Sequence, residues 1–147
     1  MSVTPARASA RLLALSRPQS FAASLRARWV QAGEFRLHYR SAVADDALPE
    51  PTPQDACAVG FVLPRRQCRH AARRNLIRRI ARERIRAHLQ VHGGDARLPV
   101  LVLRQQSRLD ATWISAQSPA LRRYLHDTVQ RLLDDWERVR RDAARRP

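Results

Sequence analysis

Arginine is concentrated in one short segment of this chain. Between Arg65 and Arg86 the sequence has ten arginines and a single acid, Glu83, so these 22 residues carry +9 of the formal charge of +15. Such a density of like charge opposes folding through self-repulsion unless a polyanion neutralises it. Guanidinium groups pair with phosphate through two parallel hydrogen bonds and also stack on bases. The segment therefore predicts a phosphate-rich partner and favours RNA.

The arginine segment has the pattern of a helix with two different sides. At about 100° per residue, its polar strip falls within an arc of roughly 100°, and an apolar flank lies beside it. Such a helix can bury one side on a sheet and present guanidinium groups on the other. The strip comprises Asn75, Arg78, Arg79, Arg82 and Arg86, and the flank comprises Ile77, Ile80, Ala81, Ile85 and Leu89.

Two other interpretations of this helix fit less well. A solvated face stabilised by ion pairs four residues apart would need acids, and the segment offers only Glu83. A DNA-binding regulator would need a preceding helix-turn pair and more Asn or Gln for reading bases. A strip this broad suits backbone phosphates. Nothing in the sequence explains how Arg74 and Arg84, which project near the apolar side, are accommodated.

No catalytic or metal-binding constellation competes with the basic segment. The acids are concentrated in the segment 41–55 and near the C-terminus, so a protein-only nuclease with metal-binding or acid–base carboxylates is not expected. No catalytic residue and no metal ligand is therefore predicted. The spacing of the residues that could bind zinc matches no common structural module. Those residues are Cys57, Cys68, His70, His88 and His92.

Composition limits the class of protein. A chain of 147 residues with 44% hydrophobic residues fits one domain with a modest core. The two cysteines form no CxxC pair and suggest a reduced, cytoplasmic protein. No apolar run approaches the roughly 20 residues of a membrane span, so no membrane association is expected. All 28 basic residues are arginine, which by itself reflects codon usage more than function.

The elements that must position the basic residues follow from periodicity and from helix-start signals. The run from Ser16 to Gln19 gives a capping-box start with Pro18 in the first turn, and Phe21, Leu25 and Trp29 follow at helical spacing. Ser118 and Pro119 open the last helix. The predicted elements are helices over 16–30, 69–90 and from 119 onward, and strands over 35–40, 57–63 and 98–103.

This order predicts an α+β fold with a single small sheet and three helices. The domain is expected over 15–140, between a basic flexible N-terminal tail (1–14) and a basic C-terminal tail (141–147). Residues 41–55 hold three prolines and four acids and are expected to form an exposed loop. A flexible spacer is the simplest role for that loop.

In these segments the chain resembles the protein subunit of bacterial ribonuclease P. That family has a helix with alanine, two residues, Arg-Asn, and then alternating basic and aliphatic residues toward Arg-Glu, which here runs from Ala71 to Glu83. Its Val-Gly-aliphatic strand, ending in two basic residues, is matched over 59–66, and its Phe-x-Leu strand over 35–37. The resemblance covers roughly residues 15 to 140, with departures at Leu76, His70 and Pro64.

The resemblance implies a fold similar to that of a ribosomal protein and a chain that binds a large catalytic RNA. In this family the RNA subunit removes the 5′ leader of precursor tRNA and holds most of the required Mg²⁺. No obligate protein partner is expected for this chain. The arginine helix of the protein contacts the RNA subunit. At the matching positions these contacts are Arg65, Arg66, Arg69, Arg73, Arg74, Asn75, Arg78, Arg79, Arg82 and Arg86.

The family binds the leader in a cleft between the sheet and the first helix. Alternate residues of a strand point to opposite faces, so if Phe35 and Leu37 face the core, the polar residues between them face the cleft. Stacking groups in a positive groove suit single-stranded RNA. The implied leader contacts are Phe21, Arg36, His38 and Arg40. The alternative function is general RNA binding, of ribosomal or chaperone type, without a tRNA substrate.

Overall fold

The structure, a computed structural model, describes residues 11–48, 56–92, 99–109 and 117–145. Within these ranges it has one mixed five-stranded sheet and three α-helices, which confirms the predicted α+β fold. A single 3-10 turn lies at Ala44–Asp46. In chain order the elements are β1 (Arg11–Ala14), α1 (Pro18–Leu25), β2 (Trp29–Ala32), β3 (Phe35–Ser41), β4 (Ala56–Val62), α2 (Ala71–His92), β5 (Pro99–Gln105) and α3 (Pro119–Arg145).

The sheet has the strand order β1-β4-β5-β3-β2. β2 and β3 form an antiparallel hairpin, β3 also pairs antiparallel with β5, and β4 pairs parallel with both β5 and β1. Gly33 lies in the two-residue turn of the hairpin with φ of +55°, a conformation that favours glycine. α2 connects β4 to its parallel neighbour β5 and thereby carries the arginine segment across the sheet.

The two faces of the sheet are covered differently. On one, which we call the two-helix face, alternate strand residues such as Phe35, Leu37 and Leu101 join the apolar sides of α2 and α3 in the main core. On the other, the α1 face, Val100 and Val102 form a smaller cluster with residues from α1 and from the segments that flank it. The predicted alternation along residues 35–40 is therefore observed, with Arg36, His38 and Arg40 on the α1 face.

Close contact between α1 and β4 depends on a glycine. A Cβ atom at Gly60 would lie 2.5 Å from Cε1 and 2.8 Å from Cζ of Phe21, and 3.2 Å from Leu15. The ring of Phe21 thus occupies the space that any larger residue at position 60 would need. This contact sets how near α1 approaches the sheet.

The ion pair between Arg40 and Asp46 also holds α1 in place. The Arg40 guanidinium pairs with both carboxylate oxygens of Asp46 and donates to Ser24 Oγ (2.8 Å) and to the Ser20 carbonyl (3.1 Å). The Asp46 side chain is fully buried, and Oδ2 also accepts from the Val43 backbone N–H at 2.7 Å. Burial raises the pKa of Asp46, but the hydrogen bonds from Arg40 and Val43 outweigh it, so its pKa is lowered.

Three sequence-based boundaries were wrong. The first helix ends at Leu25 and Trp29 begins β2, because pairing with β3 covers a sheet edge that would otherwise expose backbone donors and acceptors. Residues 11–14, expected to end a tail, form β1 because they pair in the same way with the edge of β4. Residues 141–145 continue α3 instead of forming a tail.

The helix-start signals had mixed outcomes. At α1 the N-cap residue is Arg17, without a side-chain hydrogen bond, so the capping box expected at Ser16 is not formed, although Pro18 does open the helix. At α3 the predicted N-cap is confirmed, because Ser118 Oγ accepts from the Leu121 N–H at 3.3 Å. The expected loop over 41–55 contains the 3-10 turn, and its residues 49–55 lie outside the described ranges, as do 1–10 and 146–147.

Replacing Gly60 with alanine is expected to lower the free energy of unfolding by about 1–3 kcal/mol, since the new methyl group displaces the Phe21 ring. Denaturant unfolding measures this loss. In a Phe21→Ala background the same substitution is expected to cost much less, because the clash is gone. Additive losses in the double variant would show that Phe21 is not what the methyl group meets.

Asp46→Asn is expected to lower the free energy of unfolding by about 2–3 kcal/mol at neutral pH, because Arg40 loses its buried counter-charge. Since folding lowers the pKa of Asp46, this contribution is fully present above the ordinary aspartate pKa of about 4 and is lost as the pH falls through the folded value. Unfolding curves from acid to neutral pH measure it. The variant Asp45→Asn, at the exposed neighbouring residue, is the control. A loss of stability in Asp46→Asn that is as large in acid as at neutral pH would contradict the assignment.

Candidate nucleic-acid interface

The arginine helix has the two sides that its sequence predicts. Its apolar side is buried in the main core, and the side turned away from the core exposes Asn75, Arg79, Arg82 and Arg86. Arg78, at the edge of this exposed strip, is half-buried and donates to Asn75 Oδ1 at 3.2 Å. The strip therefore offers guanidinium groups and an amide to a ligand on one continuous helical surface.

The basic loop over 64–70, between β4 and α2, exposes Arg65, Arg66 and Arg69. Two glutamines fix its backbone, since Gln67 donates to the Gln106 carbonyl and Gln105 donates to the Gln67 carbonyl, each at 3.1 Å. The loop thus carries its arginines on a fixed backbone beside the start of α2.

Arg74 and Arg84 reach partners within the fold. Arg74 donates to the carbonyls of Cys68 (2.8 Å) and Arg69 (3.1 Å), which closes the basic loop onto α2. Arg84 donates to His126 Nδ1 at 2.8 Å and to Gln130 Oε1 at 3.5 Å, which links α2 to α3. Arg74, an expected RNA contact, therefore has its guanidinium engaged in positioning the loop. Arg73 is half-buried, and its Nε makes no hydrogen bond to a described residue.

The arginines of the basic segment have no ion-pair partner within the described part of the chain. None of the ten arginines from Arg65 to Arg86 forms an ion pair there. On α3 the situation differs, because Arg138 pairs with Asp135 and both Arg140 and Arg141 pair with Glu137. The structure thus separates arginines that are neutralised internally from arginines whose charge is left for a ligand.

A groove between α2 and α3 widens the basic surface. It has a volume of about 570 Å³, and its charged and polar lining comprises Arg79, Arg82, Glu83 and Arg86 from α2 and Arg122 and His126 from α3. Sequence analysis missed Arg122, because the position of α3 beside α2 is a tertiary feature. The available signal was Arg122-Arg123 in the first turns of a helix whose apolar face was already defined.

On the α1 face the expected leader residues separate into two groups. Phe21 and Arg36 are partly exposed. His38 is only 1% exposed, and its ring nitrogens make no hydrogen bond to described residues. Burial lowers the pKa of His38, an interaction with the Ala27 backbone opposes this, and the charges of Arg104 and Arg36 lower it further, so the pKa lies below its ordinary value and the imidazole is neutral at pH 7. His38 is closed off from solvent and the guanidinium of Arg40 is engaged within the fold, so Phe21 and Arg36 are the expected leader contacts with the more accessible side chains.

The residues considered for zinc do not come together. His88 and His92 lie one helical turn apart with ring centroids 4.5 Å from each other, and His88 Nε2 lies 3.0 Å from Glu137 Oε2. Cys57 and Cys68 are free and buried, and burial raises the pKa of both thiols. Among described residues, no three His, Cys, Asp or Glu side chains form a group that could hold a metal ion. No described helix is long and apolar enough to cross a membrane.

Two basic surfaces thus lie on opposite faces of one sheet, and α2 follows a strand and a loop instead of the first helix of a helix-turn-helix. Comparison with known proteins agrees with this geometry. A sequence model of the family described as Ribonuclease P matches residues 10–133. The ribonuclease P protein component of Paraburkholderia xenovorans (strain LB400) is 38% identical over 96 residues, 63% of this chain and 66% of that relative.

The chain spans slightly less than two thirds of the length of that curated relative. No solved structure matches the chain. The family match nevertheless extends from the residue before β1 into α3 and includes the whole arginine helix and the strands on which it packs. The chain therefore belongs to the ribonuclease P protein family.

Proposed function

We propose that this protein is the non-catalytic subunit of ribonuclease P, an endoribonuclease that removes the 5′ leader of precursor tRNA. The observation that carries the proposal is the strip of exposed arginines on α2 that form no ion pair with a described residue, in a chain of this family. Unpaired guanidinium groups held on a rigid helix suit the phosphates of a large RNA.

The RNA subunit is the proposed partner of the arginine side of the molecule. The exposed arginines of the basic loop and of α2 form its centre, and Arg122 extends it across the groove to α3. Roughly eight phosphate contacts would make RNA affinity fall steeply as salt rises, because each contact releases condensed counterions. Arg74 supports this surface by holding the basic loop in place.

The leader of the precursor tRNA is the proposed ligand of the α1 face. Phe21 offers part of an aromatic ring beside β4, and Arg36 offers a guanidinium on β3. An aromatic ring and positive charge on one surface are what single-stranded RNA binds without sequence preference. Because the two surfaces lie on opposite faces of the sheet, one protein can contact the RNA subunit and the substrate at the same time.

The proposed chemistry belongs to the RNA subunit, which holds most of the Mg²⁺ that the hydrolysis requires. Described residues of this chain bring no metal-holding group of side chains together. The residues of the protein bind and orient, and they bring positive charge close to two polyanions that otherwise repel each other. We place the holoenzyme in the cytoplasm, where free thiols such as Cys57 and Cys68 stay reduced.

Cleavage of precursor tRNA by a bacterial ribonuclease P RNA at low Mg²⁺ tests the function. The protein is expected to stimulate cleavage strongly, and Arg79, Arg82 and Arg86 replaced together by alanine should abolish most of the stimulation. The matched control replaces Arg123, Arg131 and Arg138, which are exposed on α3 and lie outside the groove. Tight RNA binding without stimulation would instead establish the alternative, a general RNA-binding protein.

Arg36→Ala is expected to weaken binding of leader-containing precursor by about tenfold and to leave mature tRNA unaffected, because only the precursor reaches the α1 face. Titration of the reconstituted holoenzyme with the two RNAs measures this difference. Phe21→Ala should act in the same direction, with its stability checked separately because the ring packs on Gly60. Equal losses for precursor and mature tRNA would contradict a leader site on this face.

A further inference from the structure

A row of side chains crosses the sheet on the α1 face. The pairing register places Val62 beside Arg104, Arg104 beside Arg36, and Arg36 beside Gln31. None of the four is buried. The row therefore forms a continuous, partly exposed track from β4 to β2, and the hairpin that completes it was not predicted from the sequence.

The centre of the row carries two positive charges directly opposite each other. Like charges at paired positions of adjacent strands destabilise a sheet. Neither Arg36 nor Arg104 pairs with an acid in the described ranges, and the side chain of Arg104 makes no hydrogen bond there. The neighbouring His38 is neutral and offers no compensation. The arrangement favours an anion that contacts both guanidinium groups.

Trp29 lies beside the far end of this row, on the edge strand β2, two residues before Gln31 and paired with His38. It is 45% exposed, although it is a large aromatic residue of the kind that a fold normally buries. The Arg36 guanidinium lies 4.0 Å from the centroid of the indole, and Arg36 Nε donates to Gln31 Oε1 at 3.0 Å. The ring is thus held in place by neighbours that leave nearly half of the residue open to solvent.

We propose that Trp29 is a second stacking platform for the leader, which binds a base farther from the cleavage site than the base at Phe21. The phosphates between the two bases would contact Arg104 and Arg36. This inference rests on the proposed function. Phe21 contacts β4, and three strand spacings separate β4 from β2, about 14 Å in all. Only a leader several nucleotides long can therefore reach Trp29.

The experiment compares precursor tRNAs with a short leader of a few nucleotides and with a longer one, bound to the reconstituted holoenzyme. Trp29→Ala is expected to weaken binding of the long-leader precursor by about tenfold, the cost of losing one base–aromatic stack, and to leave the short-leader precursor unchanged. Trp29→Phe should retain most of the affinity, since a phenyl ring also stacks. The control is Val91→Ala, because Val91 is also an exposed large apolar residue but lies on α2, away from the α1 face.

Fluorescence adds a readout that does not depend on cleavage. A long-leader precursor should quench emission from the holoenzyme, and the part of the quenching due to Trp29 should disappear in Trp29→Phe although binding persists. Equal effects of Trp29→Ala on both leaders, or none on either, would overturn the second platform. If Arg36→Ala also fails to distinguish precursor from mature tRNA, the leader function itself is wrong, so the two failures remain distinct.

Discussion

Burial of the apolar side of α2 is the interaction on which the rest of the structure depends. Ile77, Ile80, Ala81 and Ile85 are at most 2% exposed, and together they hold the helix on the sheet beside α3. The same helix carries arginines that repel one another and that no described acid neutralises. Hydrophobic burial thus opposes electrostatic repulsion, and the charge remains available on a rigid surface.

Arginine content alone does not identify the binding surface. The chain has no lysine, and arginines occur on five of the eight helices and strands. The arginines differ in the partners of their guanidinium groups. Carboxylates neutralise Arg138 and Arg141, and carbonyls accept hydrogen bonds from Arg74. Arg79, Arg82 and Arg86 form no ion pair with a described residue. A positive charge left exposed by the fold can be neutralised by a ligand without breaking an internal contact. A polyanion can therefore bind the exposed arginines of the strip at the lowest cost in free energy.

The two proposed RNA-binding surfaces lie on opposite faces of the sheet. Its two-helix face is covered by α2 and α3, and the outer side of α2 meets the RNA subunit in our proposal. Its α1 face is only partly covered, because α1 is eight residues long and is drawn onto β4 by the contact of Phe21 with Gly60. Arg40 and Asp46 hold the helix there. The uncovered remainder of that face includes the track from Val62 to Gln31, with Trp29 beside its end.

The sequence by itself determined the arginine helix, its two sides, the alternation along β3 and the family, because these depend on residue periodicity and on local motifs. It also indicated α+β architecture and the N-cap at Ser118. Tertiary structure decided the rest. Helical spacing could not show that Trp29 pairs with His38 in a hairpin, or that residues 11–14 add a strand to β4, because strand pairing depends on partners distant in sequence. Polarity likewise could not show that His38 is buried and that Arg40 is bound to Asp46, since only packing decides which polar groups remain open to a ligand.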